Sequence, residues 1–371
     1  MVAVAAAVVA LGTAAGTMTA LGAGDDGREQ RGARPRASST TPSASPSSSP
    51  SPSPSPSPSV SPSPTRAAVG ATPAPSRTVR KTRAVSRLYR HPDSQVLDWL
   101  RDHPADPRRA VIESRIAGRP AAVWFTEYTP DTITARVRTV TSTAAAQRRV
   151  PVLVVYAIPD RDCGGASEGG APDLDSYDGW IDRFAAGLGS GEAVIVLEPD
   201  SIAQSDCLDE GARADRFAAL ARAGRVLKSA NPKARVYYDA GHSGWNSPAR
   251  QADLLREAGA ASAFSDGVFS NVSNFHTTAD ETAYDRRVLD ALGGPAGLGA
   301  VIDTSRNGSG APADEEWCDP DGRRIGRTPT LDTGEARIDG YLWVKLPGES
   351  DGCKGAAGEF SPSYAYELAS P

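Results

Sequence analysis

Four aspartates follow apolar runs of the sequence, a placement typical of catalytic carboxylates. Asp162 comes shortly after VPVLVVYAIP, Asp200 ends AVIVLEPD, Asp239 ends ARVYYD, and Asp351 closes YLWVKLPGESD. Hydrolysis of a glycosidic bond needs one carboxyl group to protonate the leaving oxygen and a second to act as base or nucleophile. Burial and a neighbouring carboxylate both raise the pKa of an acid, as the proton donor requires. The recurrence of these acids indicates a carboxylate cluster able to cleave a sugar linkage.

Two other chemistries have weaker support in the same region. GASEG at residues 165–169 matches the G-x-S-x-G pattern of serine hydrolases, with Ser167 as the nucleophile. That pattern needs a tight turn directly between a strand and a helix, whereas Ser167 lies eight residues past Pro159 and no helix pattern follows at once. We therefore interpret this segment as a loop over a binding cleft.

A metal site is the second weak alternative. Asp239 and His242 have ligand-like spacing, but the sequence places no second histidine or thiolate to complete a set. The sequence predicts neither a metal nor a cofactor.

Aromatic and polar side chains recur beside the same apolar runs. Tryptophan and tyrosine rings near acids and amides are suited to stacking on sugar rings, although a single tryptophan is more often a core residue. The candidates for stacking are Trp124, Tyr156, Trp245 and Trp317, and those for hydrogen bonding to hydroxyls are His242, Asn274, Lys345 and Glu349. The substrate class that this combination favours is a polysaccharide or oligosaccharide.

Alternating strand and helix patterns must position these residues. Continuous apolar runs predict buried parallel strands at 121–127, 150–159, 193–200, 234–241, 267–275, 300–308 and 341–352. Helical periodicity lies between them at 176–188, 211–228, 248–258 and 278–292. This order predicts an α/β fold. A doubly wound sheet also binds ligands at its strand ends, but so many strands contribute polar ends here that we favour a (β/α) barrel.

Composition divides the 371-residue chain into three regions. Residues 1–24 contain an apolar run that predicts an export segment, either a cleaved signal peptide or a signal-anchor. Residues 25–87 hold a Ser/Pro tract and then a basic stretch, the composition of a disordered linker. Residues 88–371 have the size of a single catalytic domain. We therefore expect a protein that is secreted or anchored at the outer face of the cell membrane.

The net charge limits the classes of binding partner, and the cysteine content indicates the redox compartment. A net charge of −5 argues against nucleic acid as a partner. The four cysteines, Cys163, Cys207, Cys318 and Cys353, show no C-x-x-C spacing. In an exported chain they predict two disulfide bonds, for which the sequence allows three pairings.

Several long motifs together resemble glycoside hydrolase family 6. In order along residues 88–371 they are YAIPDRDC, LEPDS, YYDAGHSGW, SNVSNF, VIDTSRNGSGAP, EWCDP and WVKLPGESDGC. The resemblance implies a secreted cellulase with a distorted, TIM-like (β/α) barrel that inverts the anomeric carbon while hydrolysing β-1,4-glucan. It implies that Asp200 is the general acid and that Asp162 raises the acid's pKa and assists water activation. Asp351 would then be the base, and Asp239 a supporting acid in the cleft.

The resemblance also implies the remaining site residues. It places Tyr156 beside a distorted sugar ring and makes Ser167 a candidate contact from the loop. It assigns sugar contacts to Trp124, His242, Trp245, Asn274, Trp317, Lys345 and Glu349. It pairs Cys163 with Cys207 and Cys318 with Cys353, and Glu168 and His276 depart from its usual residues.

Loop length bears on the subtype of the enzyme. Six residues separate Asp200 from Cys207, which is short for a closed tunnel, so we expect an open-cleft, monomeric endoglucanase. The alternatives are a cellobiohydrolase of the same family and a surface-tethered glucan-binding protein with little turnover.

Overall fold

The computed structural model describes residues 88–371. The expected export segment at 1–24 and the expected linker at 25–87 lie outside the described residues. Within residues 88–371, none of the helices is both long and apolar enough to cross a membrane.

Seven parallel strands form one sheet in the order of the sequence. They are β1 (Val123–Phe125), β2 (Val152–Val155), β3 (Ala193–Leu197), β4 (Ala234–Asp239), β5 (Gly267–Ser270), β6 (Gly299–Asp303) and β7 (Ile338–Leu342). The Ala122 amide, just before β1, donates to the Trp343 carbonyl, just after β7, at 2.9 Å. This bond draws the two edges together, so the sheet curls into a distorted barrel. The structure thus confirms the α/β fold class.

Eight α-helices lie in the described part of the chain. They are α1 (Gln95–Asp102), α2 (Arg109–Ile112), α3 (Ile133–Ala146), α4 (Leu174–Ala185), α5 (Glu210–Ala230), α6 (Pro248–Glu257), α7 (Thr278–Leu292) and α8 (Pro362–Ala369). Side-chain oxygens cap the first turn of five of them and so satisfy amides that have no partner within the helix. The capping residues are Asp173, Asp209, Ser247, Thr277 and Ser361.

Alternation along the strands builds two apolar layers. In β3, Val194 and Val196 point into the curled sheet, where they join residues such as Tyr237 and Phe269. Ile195 and Leu197 point to the helices. Because β2 and β3 are buried on both faces, their sequences are continuous apolar runs rather than alternating ones.

Several elements differ from the sequence-based expectations. The last strand was expected at 341–352 but ends at Leu342. The amides of Val344 and Lys345 donate to the Asp303 carboxylate, at 3.2 and 2.9 Å, instead of continuing the ladder. Four helices, α1, α2, α3 and α8, were not among the expected ones. The β-branched residues of ITARVRTVTSTAAA weaken the helical signal of α3.

Candidate active site

One large cleft opens at the carboxyl ends of the strands, where a parallel barrel gathers its functional side chains. Its cavity volume is about 1090 Å³. Every candidate catalytic or sugar-contacting residue lines it except Asp239. The lining candidates are Asp162, Asp200, Asp351, Trp124, Tyr156, Ser167, His242, Trp245, Asn274, Trp317, Lys345 and Glu349. Among the described residues, no group of three or more His, Cys, Asp or Glu is arranged to hold a metal ion.

Asp200 lies on the cleft floor, directly beyond β3. Its backbone has a left-handed φ of 68°, an uncommon conformation that turns the chain sharply out of the strand. Burial raises the pKa of Asp200 well above its usual range, and the charges of Asp239 and Asp162 raise it further. These are the conditions under which a carboxyl group keeps its proton near neutral pH.

Asp239, expected in the cleft, lies instead behind Asp200. It is 2% exposed, and its carboxylate accepts the amides of Ala203 at 2.8 Å, Gly241 at 2.9 Å and Ile202 at 3.1 Å. Burial raises the pKa of Asp239, although these hydrogen bonds oppose the shift. Asp239 therefore acts on Asp200 through its field and by fixing the turn that follows it.

Asp162 belongs to the Asp162 loop, residues 160–170. Three non-glycine residues of this loop have positive φ: Asp160 at 52°, Asp162 at 57° and Cys163 at 48°. The Asp162 side chain accepts the Ser167 amide at 2.7 Å. Ser167 thus lies at the cleft, where its backbone fixes a carboxylate, and the exposed stretch 164–169 covers the site.

Arg161 is a residue of this loop that sequence reasoning missed. Its guanidinium donates to three carbonyls, those of Thr126, Tyr156 and Ser167, at 2.6, 2.5 and 2.7 Å. It also lies 4.6 Å from the centre of the Tyr156 ring, a cation–π distance. Arg161 thereby ties the loop back to the ends of β1 and β2.

Asp351 is held by two cations. Arg306 Nη1 lies 2.6 Å from one carboxylate oxygen, and Lys345 Nζ lies 3.0 Å from the other. The side chain of Arg306 is fully buried. In the sequence, only its place as a single arginine just after the sixth strand could have indicated a role. A carboxylate whose two oxygens are both ion-paired can accept a proton only if one pair loosens.

Asp319 organises the Asp351 loop, residues 345–360. It accepts the Ser350 hydroxyl at 2.6 Å and the amides of Asp351, Cys353 and Lys354 at 2.8 to 3.0 Å. Burial alone raises its pKa, but these hydrogen bonds outweigh burial and hold the pKa of Asp319 below its usual range. Asp319 is the aspartate of the motif EWCDP, to which the family resemblance assigned no role.

Two aromatic rings form the wall beside Asp200. Trp124 and Tyr156 pack edge to face with ring centres 5.4 Å apart, and the Trp124 indole N–H donates to the Val344 carbonyl at 2.7 Å. Burial raises the pKa of Tyr156 far above its usual range, and the charges of Asp200 and Asp162 contribute. The tyrosine hydroxyl therefore stays protonated and available as a donor beside both acids.

The His242 loop, residues 241–246, forms the opposite wall. The His242 ring stacks on His276 at 4.3 Å between centres and lies 5.2 Å from the Trp245 ring. Burial lowers the pKa of His242 to about 3, and His276 contributes, so the ring is neutral. The Gly244 amide donates to His242 Nδ1 at 3.2 Å. The proton therefore resides on Nε2, where it can be donated to a hydroxyl.

The remaining candidates line the cleft at different depths. Trp317 is 58% exposed, and Asn274 donates to the Val272 carbonyl at 3.1 Å. Burial raises the pKa of Glu349 to about 7, although Lys345 and a hydrogen bond from Gln95 oppose it. Lys345 pairs with Asp351 and donates to the Ser350 carbonyl at 3.2 Å, which leaves its third N–H for a sugar hydroxyl.

Both disulfide bonds of the structure lie next to an acid. Cys163 is bonded to Cys207 and Cys318 to Cys353, the pairing that the family resemblance implies. The first joins the Asp162 loop to the turn after Asp200, and the second joins the Asp319 segment to the Asp351 loop. Each crosslink restricts the loop beside a catalytic candidate.

Known proteins share this sequence and fold. The profile of Glycosyl hydrolases family 6 matches residues 79–370. Endoglucanase 1 of Streptomyces sp. (strain KSM-9) is 53% identical over 76% of this chain and 77% of its own length. Endoglucanase A of Thermobispora bispora is 46% identical over 76% of this chain and 62% of its own.

A solved structure extends the likeness to three dimensions. An endoglucanase from Mycobacterium tuberculosis, in complex with methyl-cellobiosyl-4-deoxy-4-thio-β-D-cellobioside, is 38% identical with a TM-score of 0.71. The match covers 77% of this chain and 97% of the solved chain. The protein described here therefore belongs to glycosyl hydrolases family 6 and is a glycoside hydrolase.

Proposed function

We propose that the protein is an inverting endo-β-1,4-glucanase that hydrolyses cellulose or a related β-glucan. The observation that carries the proposal is Asp200, a carboxyl group on the floor of an aromatic-lined cleft. Burial and two neighbouring acids, Asp239 and Asp162, raise its pKa. An acid in this setting can protonate a leaving glycosidic oxygen at the pH where the enzyme works.

The reaction assigns one role to each acid. Asp200 gives its proton to the glycosidic oxygen while water attacks the anomeric carbon from the opposite face. The carbon–oxygen bond breaks, and the proton lost by the water passes to a carboxylate. Bond formation on the opposite face gives the α-anomer, which is inversion.

Asp351 is the base in this proposal, with Asp162 assisting. Arg306 and Lys345 occupy the two carboxylate oxygens of Asp351, so one of these contacts must open as Asp351 takes the proton. Asp162 accepts one backbone amide, that of Ser167, and it raises the pKa of Asp200. These contacts support a role for Asp162 in keeping the acid protonated and in orienting water.

The endo mode is supported by the short loops and by the relatives. Curated endoglucanases share 53%, 46%, 40% and 41% identity with this chain, whereas an exoglucanase of Humicola insolens shares 29%. Six residues separate Asp200 from Cys207. The alternative is a cellobiohydrolase, which would release mainly cellobiose from chain ends. An endoglucanase instead lowers the viscosity of carboxymethyl cellulose early in the reaction.

Reducing-end release from carboxymethyl cellulose tests the activity, with wild type compared with Asp200→Ala. We expect the variant to lose at least ~10² in rate, the usual scale of general acid catalysis. Proton NMR of cellotetraose cleavage then reports the anomer, and a β-product would refute inversion. A wild type that binds cellotetraose without releasing reducing ends would support the glucan-binding alternative.

Location and assembly complete the proposal. The apolar run at 1–24 and the Ser/Pro tract favour export. The catalytic domain is then either secreted or tethered at the outer face of the cell membrane. The two disulfides support this, because such bonds persist in oxidising compartments. The protein acts as a monomer on a β-1,4-glucan. Size-exclusion chromatography and cell fractionation test these two statements.

A further inference from the structure

Two buried carboxyl groups lie beneath the His242 loop, outside the site described above. Glu281 and Asp285 are one turn apart on α7, and both are 0% exposed. Residues at this spacing share one face of a helix. Neither group lines the cleft, and no cation is paired with either among the ion pairs of the described residues.

Each carboxyl group has one oxygen engaged and one oxygen free. Glu281 Oε1 accepts the Ser243 amide at 2.8 Å, and Asp285 Oδ2 accepts the Ser270 hydroxyl at 3.0 Å. Glu281 Oε2 and Asp285 Oδ1 are buried without a hydrogen-bond partner in the structure. The two groups lie one helical turn apart, so a single proton shared between them would satisfy both oxygens, as in other closely placed carboxyl pairs.

The electrostatics agree with a shared proton. Burial raises the pKa of Glu281, partly opposed by its hydrogen bonds. Burial raises the pKa of Asp285 far more, with the Glu281 charge adding to the shift. Two negative charges buried away from water without a cation would be energetically unfavourable, so the pair carries at least one proton.

Ser243 connects this pair to the cleft. It stands between His242 and Trp245, which both line the cavity, as Gly244 does. Gly244 is closely confined, because a Cβ there would lie 2.7 Å from the His276 ring. The His242 loop therefore has little room to shift sideways. The Ser243 amide joins it to α7 through the hydrogen bond to Glu281.

We propose that Glu281 and Asp285 are positioning residues that act through the Ser243 amide to hold His242 and Trp245 in their sugar-contacting places. The statement about sugar contact rests on the proposed function. The pair touches no substrate, so its loss weakens glucan binding more than it slows bond cleavage. Glu281→Leu should raise KM about tenfold, the effect of losing one buried hydrogen bond, with kcat changed less than twofold.

Conservative variants separate this role from simple packing. In Glu281→Gln the amide oxygen can still accept from Ser243, and the new N–H can donate to Asp285. Asp285→Asn can likewise donate to Glu281. Both should keep KM within about twofold of wild type, because the amides reproduce the shared proton. A tenfold rise of KM in Glu281→Gln would overturn the shared-proton arrangement.

Val288→Ala is the matched control on the same helix. Val288 is 0% exposed and packs in the core, so the variant should lower the unfolding temperature without changing KM. If Val288→Ala raised KM as much as Glu281→Leu does, the effect would be general loosening and the proposal would fail.

Hydrogen exchange gives a readout that does not depend on activity. Mass spectrometry of peptides covering residues 241–247 should show the Ser243 amide exchanging about tenfold faster in Glu281→Leu, and at the wild-type rate in Val288→Ala. Unchanged exchange in Glu281→Leu would overturn the inference whether or not the protein hydrolyses glucan. Faster exchange in Glu281→Leu, combined with a wild type that releases no reducing ends, would instead uphold the loop support and reject the proposed function.

Discussion

Two loops bring aspartates into the same cleft as Asp200, and they are built in different ways. The Asp351 loop is held by a buried network in which Asp319 accepts four hydrogen bonds and Arg306 and Lys345 grip the carboxylate. Both loops expose residues to solvent, 164–169 in the Asp162 loop and 352–353 and 355–359 in the Asp351 loop. The Asp162 loop differs in having three non-glycine residues with positive φ. Both loops carry one disulfide bond.

The difference indicates that the two aspartates are positioned by different means. Asp351 is fixed before substrate binds, because its partners are buried and charged. Asp162 depends on local backbone shape, on Arg161 and on the Cys163–Cys207 bond, which hold a loop that faces solvent. A loop that covers the cleft must move to admit a polymer, whereas the buried charges around Asp351 orient its carboxylate before the substrate binds.

The largest expected effect comes from the buried arginine. Arg306→Met should lower the free energy of unfolding by about 3–5 kcal/mol, because it leaves the carboxylates of Asp351 and Asp319 without their buried cation. Guanidinium denaturation measures the loss. Arg161→Met is the matched change in the Asp162 loop and should cost about 1–2 kcal/mol, since it removes hydrogen bonds near solvent. Equal losses would contradict the comparison.

The disulfides separate stability from positioning. The two bonds close loops with sequence separations of 44 and 35 residues, so chain entropy gives each about 4 kcal/mol. Replacing either pair by alanines should therefore cause a similar loss in thermal denaturation.

Activity should distinguish the same two double variants. Without Cys163–Cys207 the Asp162 loop keeps few restraints, and kcat should fall about tenfold through misplacement of the carboxylate. Without Cys318–Cys353 the four hydrogen bonds to Asp319 remain, and kcat should fall only about twofold. A larger loss from the second pair would mean that the Asp351 loop is the weakly held one.

The sequence predicted the sheet well because buried parallel strands are continuous apolar runs. Runs such as AVIVL and ARVYYD became β3 and β4 with small changes at their ends. The end of β7 was missed because it depends on Asp303, which takes the amides of Val344 and Lys345 from a position about forty residues earlier. α3 was missed because its local composition resembles that of a strand.

The candidate site shows the same limit. Most of the lining acids and aromatics could be predicted because they follow strands, and all strands end at one edge of a barrel. Their supports could not, because Arg306 and Asp351 are 45 residues apart and Ser243 and Glu281 are 38 apart. Such contacts exist only once the helices and strands pack. Asp239 was misplaced for the same reason, since depth behind Asp200 has no local signature.

Two buried carboxyl groups that contact these loops should respond oppositely to pH. Glu198 accepts the Ala157 and Ile158 amides that precede the Asp162 loop, and burial raises the pKa of Glu198 from 4.5 to about 7. A raised pKa stabilises the fold fully below pH 4.5, and the contribution is lost as pH rises through 7. It amounts to about 3 kcal/mol at most. Glu198→Gln should remove this decline in denaturation curves recorded between pH 4.5 and 7.

Asp319 provides the opposite case in the Asp351 loop. Its pKa is lowered from 3.8, so its contribution is present above pH 3.8 and is lost as pH falls through the folded-state pKa. Asp319→Asn should flatten the acid side of the stability curve and leave the decline toward pH 7 unchanged. If Glu198→Gln altered only the acid side, the assignment of the two groups would be reversed.

The smallest effect tests the Asp162 loop alone. Gly165 has an ordinary φ of −78°, but a Cβ there would lie 2.6 Å from Asp162 Oδ2. Gly165→Ala should therefore displace the carboxylate and lower kcat about tenfold, with little change in unfolding temperature. Gly164→Ala is the control, because its Cβ would meet nothing within 4 Å although its φ is 79°. That variant should strain the backbone by about 1 kcal/mol and retain kcat. A loss of kcat confined to Gly164→Ala would show that left-handed backbone shape, rather than the space around Asp162, sets the position of the acid.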